Sequence, residues 1–121
     1  LHILDDQWGA ATGADLLADV TAHASRQLAR RPQDGGLHPG GAAGETNWHQ
    51  DAQAVLALAT QLQPAMAFKA TEVAPVPTSA FPTPAQRPHN SRLNTARLQA
   101  TFGLKLPHWR DGVARMLAEI L

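Results

Sequence analysis

The chain has no cysteine and no tyrosine among its 121 residues, and only 5% of them are aromatic. Without cysteine there is no disulfide framework and no thiolate to hold a metal. Without tyrosine, no phenol is at hand to pass a proton to a substrate. Ten Lys and Arg balance ten Asp and Glu. No basic block breaks that balance, so neither a nucleic acid nor a membrane is the expected partner. No apolar run approaches the roughly 20 residues that span a bilayer, and no signal-like segment leads the chain. Also missing are the strand–GxxGxxG–helix fingerprint of dinucleotide binding, a Walker loop and an HExxH zinc pair. What remains is a globular chain of one-domain size.

Proline is where this chain is rich. Four of the nine prolines fall between Val76 and Leu93, in a segment that is neither repetitive nor a polar linker. Each proline fixes φ near −65° and drives the residue before it into an extended conformation. Such a loop has few paths open to it, so holding it against a ligand costs little entropy. At its end stand Arg87, Asn90 and Ser91. A stiff loop that delivers a guanidinium, an amide and a hydroxyl to one place reads as a binding loop.

The rest of the chain predicts helices. Leu1–Leu4 reads as a short strand. Thr12 is the expected N-cap of a helix reaching Arg31, stopped by Pro32, with Leu16, Leu17, Val20, Ala24 and Leu28 on one side. Residues 33–44 form a glycine-rich loop whose spacing fits no phosphate-binding fingerprint. Thr46 is expected to cap a second helix that buries Ala52, Val55, Leu56, Ala59 and Leu62. Residues 65–74 suggest an extended segment around Met66, Phe68 and Val73. A short helix follows Asn94 or Thr95 and ends at Gly103, with Leu98 and Phe102 inward. A last helix from Trp109 is expected to bury Trp109, Val113, Met116, Leu117 and Ile120. The fold class is α/β with the character of an α+β fragment: mainly helical, with at least four helices and two or three short strands.

Three ordered motifs carry a family resemblance over essentially all 121 residues. They are Asp5-Asp6-Gln7-Trp8-Gly9-Ala10-Ala11-Thr12-Gly13, Gly44-Glu45-Thr46-Asn47-Trp48-His49, and the run from Pro82 to Leu93 (PTPAxRPxNSRL) with Leu106-Pro107-His108-Trp109-Arg110 beyond it. Together they resemble the C-terminal part of dTDP-4-dehydrorhamnose reductases, which are extended short-chain dehydrogenases. One departure stands out: Gly36-Leu37-His38-Pro39-Gly40-Gly41-Ala42 replaces a GLYHLAG-like strand, and proline with paired glycines is poor in a strand.

The resemblance implies that residues 1–121 form the C-terminal substrate-binding domain of a longer, cytoplasmic, homodimeric enzyme. The nucleotide-binding Rossmann domain, the catalytic Tyr and Lys and the NADPH or NADH cofactor would then belong to sequence before Leu1. A start at Leu1 rather than methionine fits that expectation. The substrate would be a dTDP-sugar, reduced at its C4 keto group. The 121 residues alone are expected to be inactive and to self-associate. An alternative from another class is a non-catalytic interaction or regulatory module related to the family.

Two readings stay open for each candidate residue. Arg87 suits the paired oxygens of a diphosphate, or it lies along apolar surface or pairs with a carboxylate. Asn90 and Ser91 suit a sugar hydroxyl, or they cap a turn. Gln7 reaches substrate or braces its loop. Trp48 and Trp109 are expected in the core, with Trp8 nearer the ligand. His23 and His49 read as solvated helix partners of Asp19 and Glu45. The resemblance also implies a Mg²⁺ site between subunits, at positions occupied here by Asp15 and Glu119. The competing reading leaves Asp15 to favour a helix N-terminus and Glu119 to solvent.

Overall fold

The computed structural model describes residues 1–121 as four helices and four very short strands. The strands are β1 (His2–Leu4), β2 (Trp8–Gly9), β3 (Thr46–Asn47) and β4 (Ala74–Val76). The helices are α1 (Ala14–Arg30), α2 (Trp48–Leu62), α3 (Ala96–Phe102) and α4 (Trp109–Ile120). Strand β1 runs parallel to β4 with Ile3 opposite Pro75, and β2 runs antiparallel to β3 with Trp8 opposite Asn47. Proline fits in β4 because this two-stranded ladder leaves one side of the strand without a partner. The extended segment expected at residues 65–74 therefore lies later, at Ala74–Val76, and Met66 is exposed.

The helices end where the chain's chemistry ends them, but two caps differ from expectation. Gly13, not Thr12, occupies the start of α1, and no side chain caps it. The Thr12 hydroxyl instead donates to Ala10 O and accepts from Ala42 N–H, tying the first motif to the glycine loop. Asn47, not Thr46, caps α2: its Oδ1 accepts from Gln50 N–H at 2.8 Å. Beside α3 it is the Asn94 side chain that accepts, from Ala96 N–H. Gly103 closes that helix at φ +60°, and Leu104 N–H reaches back to Gln99 O.

Two small clusters make the core. Ala42, Ala54, Trp109, Val113 and Leu117 join α2 to α4, with Leu16 of α1 against them. Leu98, Phe102 and Leu106 form the second, covered by Val20, Ala24 and Leu28 of α1. The α1 stripe thus serves both clusters, and none of its residues is fully buried. In α4 the inward positions are Trp109, Val113 and Leu117, spaced by four; Met116 and Ile120 flank that seam and are exposed, contrary to expectation. Leu62 is exposed in the same way, whereas Ala54 is buried. The strand expected to suffer from Pro39 and its neighbouring glycines is reduced to a single bridge at Ala43, opposite His108.

Candidate functional site

The two-residue ladder of β2 and β3 decides where the motifs meet. It sets Trp8-Gly9 of the first motif against Thr46-Asn47 of the second. The proline loop closes on the other side of Trp8: Trp8 N–H donates to His89 O at 2.8 Å, and Ser91 N–H donates to Trp8 O at 2.7 Å. Trp8 is thus the central strand residue between two segments far away in sequence. Gly44 makes the turn into β3 possible. It has φ +84°, and a Cβ there would lie 2.5 Å from the His108 imidazole.

Between the three motifs lies a cleft of about 230 Å³. Gln7, Trp8, Asn47, Trp48, Asp51, Arg87 and Ser91 contribute its side chains, with Gly9 and Ala10 in the wall. The cleft is built from below by hydrogen bonds. Asn47 is buried, donating to Asp5 O while its Oδ1 caps α2. The Trp48 indole N–H donates to Gln7 Oε1 at 3.2 Å, and Gln7 Nε2 donates to Thr78 Oγ1 at 3.1 Å. Thr78 passes the chain on, its hydroxyl donating to Asp6 Oδ1 at 2.6 Å.

Each candidate residue now has a place. Gln7 is buried, with both ends of its amide bonded inside the chain, so it braces the cleft floor. Arg87 and Ser91 line the cleft and are exposed. The five ion pairs of the chain leave Arg87 out, so its guanidinium is not spent on a carboxylate. Asn90 is not in the lining: its Oδ1 accepts from the backbone and the guanidinium of Arg92, the turn-bracing role. Arg92 in turn pairs with Glu45 at 3.0 Å, a second tie between loop and second motif.

Trp48 departs most from expectation. It begins α2 as anticipated but is 58% exposed, with its edge pinned by Gln7 and its ring in the cleft wall. Trp8 is half-buried in the same wall. Asp51, one turn into α2, was not anticipated either. Its Oδ1 is buried without a partner, and burial pushes its carboxyl above the ordinary range. His23 and His49 are not paired with acids: their Nε2 atoms bond Phe102 O and Val73 O, each at 2.9 Å, and so join α1 to the end of α3 and α2 to the segment before β4.

Asp15 and Glu119 do converge, on Arg115. Its Nη1 lies 2.9 Å from Asp15 Oδ2 and its Nε 3.2 Å from Glu119 Oε1. The bond to Glu119 first, then the charge of Asp15, raise the guanidinium pKa further. No group of three or more potential metal ligands gathers anywhere in the chain. Within one chain, then, Asp15 and Glu119 share the guanidinium of Arg115.

All of residues 1–121 match one family, the RmlD substrate binding domain. The chain belongs to that family. The dTDP-4-dehydrorhamnose reductase of Salmonella typhimurium is 50% identical over 120 residues, and that of Escherichia coli K12 is 48% identical over the same length. A reductase of the same name from Burkholderia thailandensis is 38% identical over 125 residues. Each alignment takes in 99% or more of this chain but only 40–42% of the relative, so the chain spans about two-fifths of their length. In fold it is similar to the dTDP-4-dehydrorhamnose reductase of Clostridium acetobutylicum, with a TM-score of 0.80, 24% identity and coverage of 99% of this chain and 38% of that one. The Bacillus anthracis enzyme, solved in complex with NADP, superposes with a TM-score of 0.77 at 24% identity, covering 98% of this chain and 38% of that one. This RmlD domain therefore has the architecture of the corresponding two-fifths of known reductases, without a Rossmann domain among its own residues.

Proposed function

We propose that this RmlD domain is the sugar-nucleotide-binding part of a dTDP-4-dehydrorhamnose reductase. The observation that carries the reading is the cleft itself, where three motifs separated by some forty residues each contribute to one wall. Its chemistry suits the ligand. Trp8 and Trp48 offer aromatic surface to a flat base or an apolar sugar face. Arg87 offers an unspent fork of donors to a diphosphate. Ser91 and Asp51 offer a hydroxyl and a carboxylate to sugar hydroxyls.

Reduction of a C4 keto group needs a hydride at carbon and a proton at oxygen. A nicotinamide cofactor, NADPH or NADH, would supply the hydride when bound. The part of this chain is to bind and orient: Arg87 and the tryptophans hold the nucleotide so that the keto sugar faces the reacting groups. With no tyrosine here, a phenolic proton donor would come from elsewhere in the enzyme. We assign the working protein to the cytoplasm, where the reduced cofactor is drawn from the metabolic pool. The apolar side chains left open on α1 and α4, among them Leu17, Met116 and Ile120, support a homodimer.

Thermal stabilisation tests the reading. A dTDP-sugar at about 100 times its Kd should stabilise the chain by about 2.7 kcal/mol, raising the Tm, whereas free rhamnose should leave it unmoved. Equal responses to both, or to neither, would remove the sugar-nucleotide reading.

A further inference from the structure

Every residue from Ser79 to Asn94 is exposed, so burial does not fix the path of the loop that carries Arg87. Its interior holds few bonds of its own, such as Thr83 Oγ1 to Ala85 O. What the loop does have is two tied feet: Asp6 touches both, and Trp8 adds two backbone bonds at the second. At the first foot, the Asp6 carboxylate accepts from Thr78 N–H at 2.9 Å and from the Thr78 hydroxyl at 2.6 Å. At the second, the His89 ring Nδ1 lies 3.1 Å from Asp6 O and 3.7 Å from Asp6 Oδ2.

We infer that Asp6 is a positioning residue: by clasping Thr78 and His89 it closes the proline loop and sets where Arg87 stands in the cleft. The direction of the bonds supports this. An indole N–H only donates and a carboxylate only accepts. Between Trp48 at one end and Asp6 at the other, the Gln7 amide and the Thr78 hydroxyl therefore have one consistent orientation each. Thr78 Oγ1 must accept from Gln7 and donate to Asp6, which no apolar residue of the same shape can do. The loop foot and the cleft floor are thus one hydrogen-bonded unit, and loosening Thr78 loosens both. Prolines within the loop limit its paths, so fixing the two feet largely fixes what lies between them. The consequence for ligand binding rests on the reading of the cleft as a sugar-nucleotide site; the clasp itself does not.

The experiment compares the full chain with Thr78→Val and Thr78→Ser. Amide exchange is followed by NMR without ligand, and dTDP affinity is measured by calorimetry. Thr78→Val should speed exchange of the Trp8 and Ser91 amides, the ties of the second foot, by about tenfold, the worth of one hydrogen bond. The Val113 and Leu117 amides of α4 should be unchanged, and Thr78→Ser should behave as wild type. The Kd for dTDP should rise by about tenfold in Thr78→Val and recover in Thr78→Ser. Unaltered Trp8 and Ser91 exchange in Thr78→Val would overturn the clasp. Faster exchange with unaltered dTDP affinity would overturn the positioning of Arg87. If wild type fails to bind dTDP, the sugar-nucleotide reading falls, and the amide rates still decide the clasp.

Discussion

The indole N–H of Trp48 donates to the side-chain oxygen of Gln7 at 3.2 Å, leaving the tryptophan ring 58% exposed at the mouth of the cleft. Trp109 also begins a helix, yet it is 2% exposed at the centre of the larger core cluster. The two residues should therefore part company on mutation. Trp109→Ala removes a packed core side chain and should cost about 3–5 kcal/mol in chemical denaturation. Trp48→Ala should leave the folding midpoint close to wild type but weaken dTDP binding. Base–aromatic stacking contributes about 1–3 kcal/mol, so the Kd should rise by about 5- to 150-fold. Matching stability losses in the two variants would return Trp48 to the core.

Two carboxyl groups should titrate in opposite directions. The hydroxyl and then the backbone N–H of Thr78 hold Asp6 below its ordinary value, and the nearby His89 adds to this. A carboxyl depressed on folding contributes stability above the unfolded value of about 3.9, and that contribution fades as pH falls through the folded value. Asp51 is the reverse case, raised by burial. Its contribution is fully present below the unfolded value and is lost as pH rises through the raised one. Carboxyl titration by NMR should find Asp6 below and Asp51 above about 3.9, and Thr78→Val should bring Asp6 back toward it. The stability of Asp51→Asn should lack the decline that wild type shows as pH rises above that range. Two ordinary midpoints would contradict both environments.

Arg115 leads to a prediction about metal. Its guanidinium already joins Asp15 to Glu119 across α1 and α4. Adding EDTA or Mg²⁺ should then leave both the Tm and the state of association of the chain unchanged. Arg115→Ala leaves the two acids without that cation and should make the Tm fall, more so at low salt. A Mg²⁺-dependent dimer in the wild-type chain would show that the carboxylates hold a metal between copies in spite of the guanidinium.

Much of the helical frame was legible in the sequence because its signals are local. Pro32 and Pro64 bound α1 and α2 from outside, and Gly103 ends α3 with the positive φ that glycine favours. The caps were harder to place. Thr46 and Asn47 are both good caps and both lie in β3. The choice depended on where α2 begins, since Asn47 directly precedes Trp48 and accepts from Gln50 N–H, while the Thr46 hydroxyl donates to Asn47 O. Periodicity reports which side of a helix faces inward, not how far along it a neighbour reaches. Trp48 lies two turns before the half-buried Val55, yet at the first turn of α2 the cleft opens instead of a core. Met116 and Ile120 show the same limit at the other end of the chain.

The site divides along the same line. The exposure of Arg87 and Ser91 on the proline loop was legible because proline spacing and polar composition are sequence properties. The use of Gln7 as a brace, and of Asn90 as the acceptor for Arg92, depends on partners brought in from Trp48 and Thr78 or set by the turn. The roles of Asp6, Trp48 and Asp51 needed the pairing of β2 with β3 and the return of the loop to Trp8. Those are contacts between segments distant in sequence, and no local pattern announces them.

We propose that this cleft binds a sugar nucleotide through the guanidinium of Arg87. The most direct test is calorimetric titration of dTDP into the wild-type chain and into Arg87→Ala. A charge-assisted hydrogen bond contributes about 1.5–3 kcal/mol, so the variant should bind dTDP about tenfold or more weakly, with its folding unchanged. Equal affinity in the two proteins, or no binding by wild type, would contradict the account.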